Sequence, residues 1–337
     1  MSTSSQSLQL PLDVVGSLRV HGLAKNNAGL PVVIELPLEK PCEPPFENFT
    51  HCPPAPALPP PLPPSSGPRI HLDVELVCQI PREPEDDEIE DTDDGFGDSD
   101  DDDDKSETEA EELYYDDEMV EDPYQRTDTA LYSVRPLNPD QYPYRIPPLV
   151  IKVAAQREGR RIYNEANMYN VLESVQGLVV PRCYGYFRVA VNQYETTILP
   201  WNPECRFPRD PARFDVFRMP HQSASLNILL LEEVGDRIPI GSVARDDLRT
   251  ELRTMYEELV RLGIDHHDIR YPNILLAPTS PPGLEGRCSA TLKRPFKFRL
   301  VDFEHSARTN RGAFSIRHKA ERGTDLILGH VCGRSRR

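Results

Sequence analysis

The chain has 337 residues, 35 of them proline, and its 55 acidic and 38 basic residues give a formal net charge of −17. Its seven cysteines are scattered without a Cys-x-x-Cys spacing, which argues against a disulfide framework or a zinc site and predicts a reducing compartment. The sequence lacks the charged start of a signal peptide and any apolar run of about 18 residues, so we expect a soluble cytoplasmic or nuclear protein.

The negative charge is concentrated in one segment. Residues 83–122 hold 24 acidic residues and one basic residue, which leaves 31 acidic and 37 basic residues elsewhere. Because like charges repel and this segment has few apolar partners, residues 83–128 are predicted to be a disordered insertion. The mildly positive remainder suits a protein that holds phosphates, and we expect neither a nucleic-acid nor a membrane partner.

The first part of the chain is predicted to lie outside the main domain. Residues 17–22 and 31–36 are strand-like and predict a weak hairpin. Proline then dominates residues 41–68, a composition that favours extended polyproline geometry and predicts a linker. We therefore assign residues 1–69 to an N-terminal region with a Pro-rich linker. This linker and the acidic insertion are both candidate binding segments for protein partners.

Two predicted strands flank the acidic insertion. Residues 70–80 alternate in polarity, which places Leu72, Val74 and Leu76 on one face, and residues 129–135 form a second short strand. If these strands open the ordered domain, the insertion is the loop between them. Two interpretations of that loop remain open: a solvated spacer, and a charged segment that competes with phosphates for nearby basic side chains.

A single lysine lies within the apolar strand predicted at residues 149–154. Lys152 must find an anion there, because burying an unpaired ammonium group is costly. The helix predicted at residues 156–175 carries Glu165 thirteen positions later. Glu158 is the competing partner, but it falls in the first helical turn, too near the end of the strand. The sequence therefore predicts an ion pair between Lys152 and Glu165.

The next segments predict more strands and then a helix. Residues 181–191 and 196–199 are interpreted as paired strands, followed by a polar, Pro-rich insertion at residues 200–225. An apolar strand at residues 226–231 runs into acidic residues and Val234. The apolar stripe at residues 248–262 predicts a helix that Asp246 or Asp247 caps and Gly263 ends, and a weaker, Arg-rich helix is predicted near residues 314–328.

The stretch from Gly263 to Glu304 carries the strongest chemical signal. Asp268 and Asn273 lie five positions apart on a turn, directly before an apolar strand at residues 274–276. A second apolar strand at residues 298–301 delivers Asp302. If the two strands pair, they bring these three side chains to one end of a small sheet. Their oxygen atoms are ligands that Mg²⁺ prefers.

This stretch resembles the catalytic loop and metal-binding motif of protein kinases, His-Arg-Asp-x-x-x-x-Asn followed by Asp-Phe-Gly. Here the motifs read His266-His267-Asp268-Ile269-Arg270-Tyr271-Pro272-Asn273 and Asp302-Phe303-Glu304. The resemblance covers residues 70–306 and is to the divergent kinase-like proteins of the fungal type. It implies an α+β, two-lobed protein-kinase-like fold with long disordered N-terminal and acidic insertions. The N-lobe would span residues 70–233, a truncated, reduced helical C-lobe residues 234–330, and a basic tail residues 331–337.

The resemblance also implies cofactors and roles for individual residues. ATP would contact Lys152 through its phosphates and the backbone of Val234 through its adenine, with Glu165 orienting the lysine. Asn273 and Asp302 would hold Mg²⁺. Asp268 would accept the proton of the substrate hydroxyl, and Arg270 would neutralise the moving phosphoryl group.

Several departures from the kinase pattern leave the function open. The glycine-rich loop is missing before Lys152, no Ala-Pro-Glu motif follows, and His267 stands where arginine is usual. Glu304 replaces the last glycine, as in choline-kinase-like and aminoglycoside-kinase-like phosphotransferases, where its carboxylate would reach a second metal or face solvent. Two classes therefore remain: a phosphotransferase acting on an unidentified protein or small molecule, and a pseudokinase acting as a binding or scaffold module.

Overall fold

The computed structural model describes residues 8–40, 44–80, 129–154, 156–192, 195–198 and 224–333. Three sequence-based predictions lie outside these ranges, wholly or in large part. They are the disordered acidic insertion, the polar insertion before residue 224, and the last four residues of the basic tail.

The described residues form a mixed α/β structure that is rich in strands. The helices are α1 (Gln156–Val171), α2 (Arg245–Arg261) and α3 (Ala313–Val331). The first strands are β1 (Leu8–Gln9), β2 (Val15–Asn26), β3 (Pro31–Glu39), β4 (Phe46–Glu47), β5 (Ile70–Ile80), β6 (Thr129–Pro136), β7 (Tyr144–Arg145) and β8 (Leu149–Ala154). The later strands are β9 (Cys183–Val191), β10 (Thr196–Ile198), β11 (Ala224–Glu232), β12 (Ile264–Asp265), β13 (Ile274–Leu276), β14 (Phe298–Leu300) and β15 (Ala307–Thr309).

The largest sheet closes on itself. Its strands follow the order β2, β3, β9, β11, β8, β6, β5, and β5 then pairs with β2 in parallel. The other neighbours in this ring are antiparallel. β10 pairs with the end of β2 rather than with β9, so the predicted pairing of residues 181–191 with 196–199 is wrong. Closure removes the exposed edges that an open sheet presents to solvent.

The two faces of β8 meet different parts of the molecule. Side chains alternate along a strand, so every second residue faces the same way. Ile151 and Val153 on β8 therefore join the apolar cluster of the ring, together with residues such as Leu18 on β2. Val150 and Ala154 belong to the other cluster, which includes α1. Lys152 shares their alternation and so points towards α1.

The ordered domain begins well before residue 70, so the predicted boundary there is wrong. The residues assigned to a separate N-terminal region form β2 and β3, two neighbouring strands of the closed sheet. The turn between them is held by Asn26, whose Oδ1 accepts hydrogen bonds from the N–H groups of Ala28 and Leu30. Gly29 has a φ of 76°, a conformation that glycine adopts readily.

The Pro-rich segment is not a plain linker, which corrects a second prediction. Two of its N–H groups donate to the domain: Leu62 donates to Glu173 Oε2 at 3.0 Å, and Ser65 donates to Asp13 Oδ2 at 2.9 Å. Further upstream, β4 pairs in parallel with β15. A polyproline-like chain has no internal hydrogen bonds, so its backbone polar groups can bind other parts of the protein instead.

Helices α2 and α3 pack against each other, and α2 also contacts β12. Three ion pairs join them, Arg249–Asp325 at 3.0 Å, Arg253–Glu321 at 2.9 Å and Arg317–Glu257 at 2.6 Å. Because the residue numbers rise along one helix and fall along the other, the helices run antiparallel. Both helices agree with the sequence-based prediction. Among the described residues, no helix is both long and apolar enough to span a bilayer.

The predicted cap of α2 is wrong. Asp246 and Asp247 lie inside its first turn, and its N-cap is Ala244, which makes no side-chain capping hydrogen bond. Carboxylates in this turn still favour the helix, because they lie at the positive end of its dipole.

Candidate active site

Lys152 is the centre of a buried cluster of charges. Its ammonium group donates hydrogen bonds to Glu165 Oε2 at 2.8 Å, to Asp302 Oδ1 at 2.8 Å and to Glu304 Oε2 at 3.0 Å. The ion pair between Lys152 and Glu165 that was predicted from the sequence is therefore present. β8 supplies the lysine and α1 supplies Glu165, while the two other carboxylates follow β14.

The pKa values in this cluster reflect burial and charge together. Burial alone would lower the pKa of Lys152, but the attraction of Glu165, Asp302 and Glu304 outweighs it, and the lysine pKa is raised. Burial raises the pKa of Glu165 despite the neighbouring ammonium group. Three carboxylates around one ammonium group have a formal charge of −2 when all are ionised.

A two-stranded sheet brings the two sequence motifs together, as predicted. β13 and β14 are antiparallel, with Ile274 opposite Leu300. The N–H of Val301 donates to the backbone oxygen of Asn273 at 3.0 Å, which places Asn273 beside the segment that leads into Asp302. Asp302 has a φ of 65°, in the left-handed region. Such backbone strain costs roughly 1–3 kcal/mol and is found more often at functional sites.

Asp268 lies in the loop of residues 266–273, between β12 and β13, and is held by two neighbours in this loop. The Nδ2 of Asn273 donates to the backbone oxygen of Asp268 at 3.0 Å and to its Oδ2 at 2.7 Å. Arg270 forms an ion pair with Asp268, with Nε 2.9 Å from Oδ1. Because Nδ2 is committed to Asp268, Oδ1 is the atom of Asn273 that could ligate a cation.

His266 links this loop to the Asp302 segment. Its Nδ1 accepts a hydrogen bond from the N–H of Asp268 at 3.3 Å, and its Nε2 lies 3.1 Å from the oxygen of Val301. A neutral ring protonated on Nε2 satisfies both contacts, and burial lowers the pKa of His266 accordingly. The centroid of the His266 ring lies 4.7 Å from that of the Phe303 ring. The centroid of the Phe303 ring lies 5.8 Å from that of Tyr169 on α1.

Val234 lies in the segment between β11 and α2. The residue before it, Glu233, donates its N–H to Pro148 at 3.0 Å, and the residue after it, Gly235, donates to Leu276 at 2.8 Å. The segment is thus fastened to the start of β8 and to the end of β13. These contacts position the backbone of Val234 between the closed sheet and the β13–β14 sheet.

Two acidic residues of the site were not assigned from the sequence. The sequence allows Glu304 to reach a second metal or to face solvent, and the solvent alternative is wrong, since the residue is 6% exposed and contacts Lys152. Its position two residues after Asp302 was the feature of the sequence that could have indicated a place in the same cluster. Glu47, on β4, lies 3.3 Å from His267. No local pattern could have revealed that contact, because the two residues are far apart in sequence.

No protein-family model matches this chain, and no curated protein matches it. Comparison with solved structures finds 141 similar chains. They include a kinase. The structure of vaccinia related kinase 3 is 14% identical, with 54% of this chain and 45% of that chain covered and a TM-score of 0.27.

Two other similar structures are Rad53 in complex with AMP-PNP and WaaP in complex with acyl carrier protein. Rad53 is 15% identical, with 53% of this chain and 36% of that chain covered and a TM-score of 0.29. WaaP is 11% identical to this chain, with 61% of this chain and 70% of the WaaP chain covered and a TM-score of 0.30. This chain therefore spans less than half of the first two structures, and TM-scores this low carry no weight for its function.

Proposed function

We propose that this protein is a kinase-like phosphotransferase, which moves the γ-phosphoryl group of ATP to a hydroxyl group with Mg²⁺. One observation carries the proposal: Lys152 hydrogen-bonds to Glu165 and to Asp302 at the same time. A lysine from one strand, a glutamate from the next helix and a remote aspartate thus meet at one point. The Asp268–Asn273 hydrogen bond lies next to that point along the β13–β14 sheet.

The residues present fit the proposed cofactors. Glu165, Asp302 and Glu304 each offer a carboxylate oxygen, and these atoms lie within 4.8 Å of one another. Mg²⁺ prefers carboxylates together with substrate phosphates, and Asp302 with Asn273 would hold it here. Glu304 is the candidate ligand for a second ion. When bound, the ion neutralises charge on the phosphates.

The surrounding residues would orient the nucleotide and the acceptor. Lys152, turned towards the phosphates by Glu165, would hold them, and the backbone of Val234 would bind adenine. Asp268 would accept the proton of the acceptor hydroxyl. The hydroxyl oxygen would then bond to the γ-phosphorus as ADP leaves. Arg270, already paired with Asp268 at 2.9 Å, would stabilise the negative charge on the transferred group. The acceptor is a protein or a small molecule.

A second candidate function is a pseudokinase, which binds partners without catalysis. The observation that favours it is the saturation of Lys152 by three carboxylates, with which nucleotide phosphates would have to compete. The divalent charge of a bound metal would relieve this competition. The phosphotransferase requires metal and nucleotide to bind together and phosphoryl transfer to follow, whereas the pseudokinase transfers no phosphoryl group.

The test is a thermal-unfolding titration with ATP, with and without Mg²⁺. We expect Mg²⁺-ATP to raise Tm, because a ligand at a hundredfold excess over its Kd stabilises the folded state by about 2.7 kcal/mol. Asp302→Asn should remove the Mg²⁺-dependent part of the shift. Lys152→Met should abolish the whole Tm shift. Lys25→Met, at an exposed position on β2, should leave the shift unchanged.

Lys152→Met should also destabilise the protein without ligand. Removing one partner of a buried ion pair typically costs about 3–5 kcal/mol, and here three carboxylates lose their shared partner. The Tm shift is therefore measured for each variant relative to its own unliganded Tm.

Asp268→Asn separates the two functions. An active enzyme should lose phosphoryl transfer in this variant and keep the Mg²⁺-ATP shift. A wild-type chain that shows the shift but transfers no phosphoryl group would be a pseudokinase. The absence of any shift at saturating nucleotide would contradict the phosphotransferase.

A further inference from the structure

A segment near the N-terminus lies against the loop that carries Asp268. We call residues 44–56 the N-terminal arm. Its strand, β4, pairs in parallel with β15, and β15 pairs in antiparallel fashion with β12, the strand that leads into this loop. The arm thus supplies the outer strand of a three-stranded sheet whose far strand ends at Asp265.

Side chains fasten the arm beyond the strand pairing. The buried side chain of Asn310 makes three hydrogen bonds to it: its Oδ1 accepts from the N–H of Phe49 at 2.7 Å, and its Nδ2 donates to Phe49 O at 3.0 Å and to Asn48 Oδ1 at 3.1 Å. The guanidinium group of Arg311 lies 4.5 Å from the centre of the Phe49 ring. Both polar atoms of one buried side chain are therefore committed to the arm.

Glu47 carries the contact between the arm and the loop. Its Oε1 lies 3.3 Å from the Nε2 of His267, the residue directly before Asp268. Its other carboxylate oxygen, Oε2, is buried and has no hydrogen-bond partner among the described residues. One oxygen of the Glu47 carboxylate is thus removed from water although the side chain is 34% exposed, and this burial is costly unless other contacts of the group compensate for it.

The charges around this contact are balanced. Asp265, 1% exposed, lies 3.6 Å from the same imidazole nitrogen of His267. Lys319 approaches Asp265 at 3.0 Å and Arg311 approaches it at 3.9 Å. Two carboxylates face two permanent cations, so the cluster does not require a metal ion although its geometry could accept one. Its charges instead link α3, the loop and the arm.

We propose that the N-terminal arm fixes the conformation of the loop that carries Asp268, with Glu47 as a positioning residue that acts through His267. The inference rests on the proposed function, because the loop is the part that would receive the acceptor proton. The arm belongs to the same domain as the candidate active site, and the conformation of the loop depends on residues far upstream in the chain. Nucleotide binding depends on Lys152 instead.

The experiment compares Glu47→Gln, Asn310→Ala and the matched control Glu39→Gln in the full chain. Glu39 is a partly exposed residue of β3, in the closed sheet, whose carboxylate lies 3.7 Å from Arg188. Hydrogen exchange is measured without nucleotide on residues 264–274. We expect faster exchange in the first two variants, by about two- to fivefold for Glu47→Gln, as for the loss of one partly exposed ion pair. Glu39→Gln should match the wild type.

Two kinetic readouts separate positioning from a general loss of stability. Glu47→Gln should lower kcat by a similar factor and leave the KM for ATP unchanged. In a His267→Gln background, Glu47→Gln should have no further effect, because the contact through which it acts is already lost. A merely structural role would predict additive losses in the two variants.

Each outcome decides the proposal. Unchanged exchange at residues 264–274 in both Glu47→Gln and Asn310→Ala overturns it, and so does a full-sized effect of Glu47→Gln in the His267→Gln background. A wild-type chain that binds no ATP would contradict the proposed function, while the exchange measurement would still decide whether the arm fixes the loop.

Discussion

At the scale of single residues, His266 shows how burial determines a protonation state. The ring accepts a hydrogen bond from the N–H of Asp268 through Nδ1 and faces the oxygen of Val301 through Nε2. Adding a proton to Nδ1 would remove the acceptor that Asp268 uses. The loop is therefore built around the neutral form of His266.

This arrangement predicts a dependence of stability on pH. Burial lowers the pKa of His266 in the folded state below its unfolded value of about 6.5. In the window just below that value the unfolded chain binds more protons, so the free energy of unfolding should fall as pH falls. His266→Gln should flatten the dependence in this window. Urea unfolding between about pH 7 and pH 5 would measure it.

The matched control is His318→Gln, at an exposed position of α3. It should keep the pH dependence of the wild type. Equal slopes for the wild type and His266→Gln would contradict the assignment of a neutral His266.

At the scale of elements, α3 supports the loop through a close approach. Gly323 lies in the middle of the helix, and a Cβ added there would lie 2.8 Å from the Cβ of Ile269, which follows Asp268. A helix position with any side chain would push this part of the loop away. Near the end of the same helix, Gly329 has open space around it.

These two glycines make a matched pair of substitutions. Gly329→Ala should stabilise the protein by up to about 1 kcal/mol, because alanine favours a helix more than glycine does. Gly323→Ala should instead lower Tm and reduce phosphoryl transfer, since overpacking typically costs about 1–3 kcal/mol. Thermal unfolding and a transfer assay on both variants would test this. Stabilisation by both substitutions would show that α3 does not constrain the loop.

At the scale of the whole molecule, the closed sheet depends on its first two long strands. β2 and β3 fill the gap between β5 and β9, and they contribute Leu18, Val20 and Leu36, all 0% exposed. Burial of one such side chain contributes about 1.5–3 kcal/mol, against a typical total stability of 5–15 kcal/mol. The remaining strands alone would leave two edges and an open core.

We therefore expect a fragment of residues 44–337 not to fold cooperatively. Circular dichroism with thermal unfolding would measure this, and a fragment of residues 8–333 is the control that should unfold like the full chain. A cooperative transition of the shorter fragment at the wild-type Tm would restore a domain boundary near residue 70.

Local sequence determined the long elements of this protein and some of their nearest pairings. The lysine in an apolar strand and the glutamate on the next helix predicted the Lys152–Glu165 ion pair, since both lie on consecutive elements. The spacing of Asp268 and Asn273, followed by two apolar strands, predicted the β13–β14 sheet. Such features depend on alternation, helical period and short connections, all of which can be read along the chain.

Only the tertiary structure decided which distant segments meet. The parallel pairing of β2 with β5, which closes the sheet, joins strands separated by the Pro-rich segment. The docking of the arm beside His267 and the burial of Glu304 against Lys152 likewise join residues far apart in sequence. Periodicity indicates that a strand has a buried face, but not which strand or helix covers it. That choice depends on packing the whole chain at once.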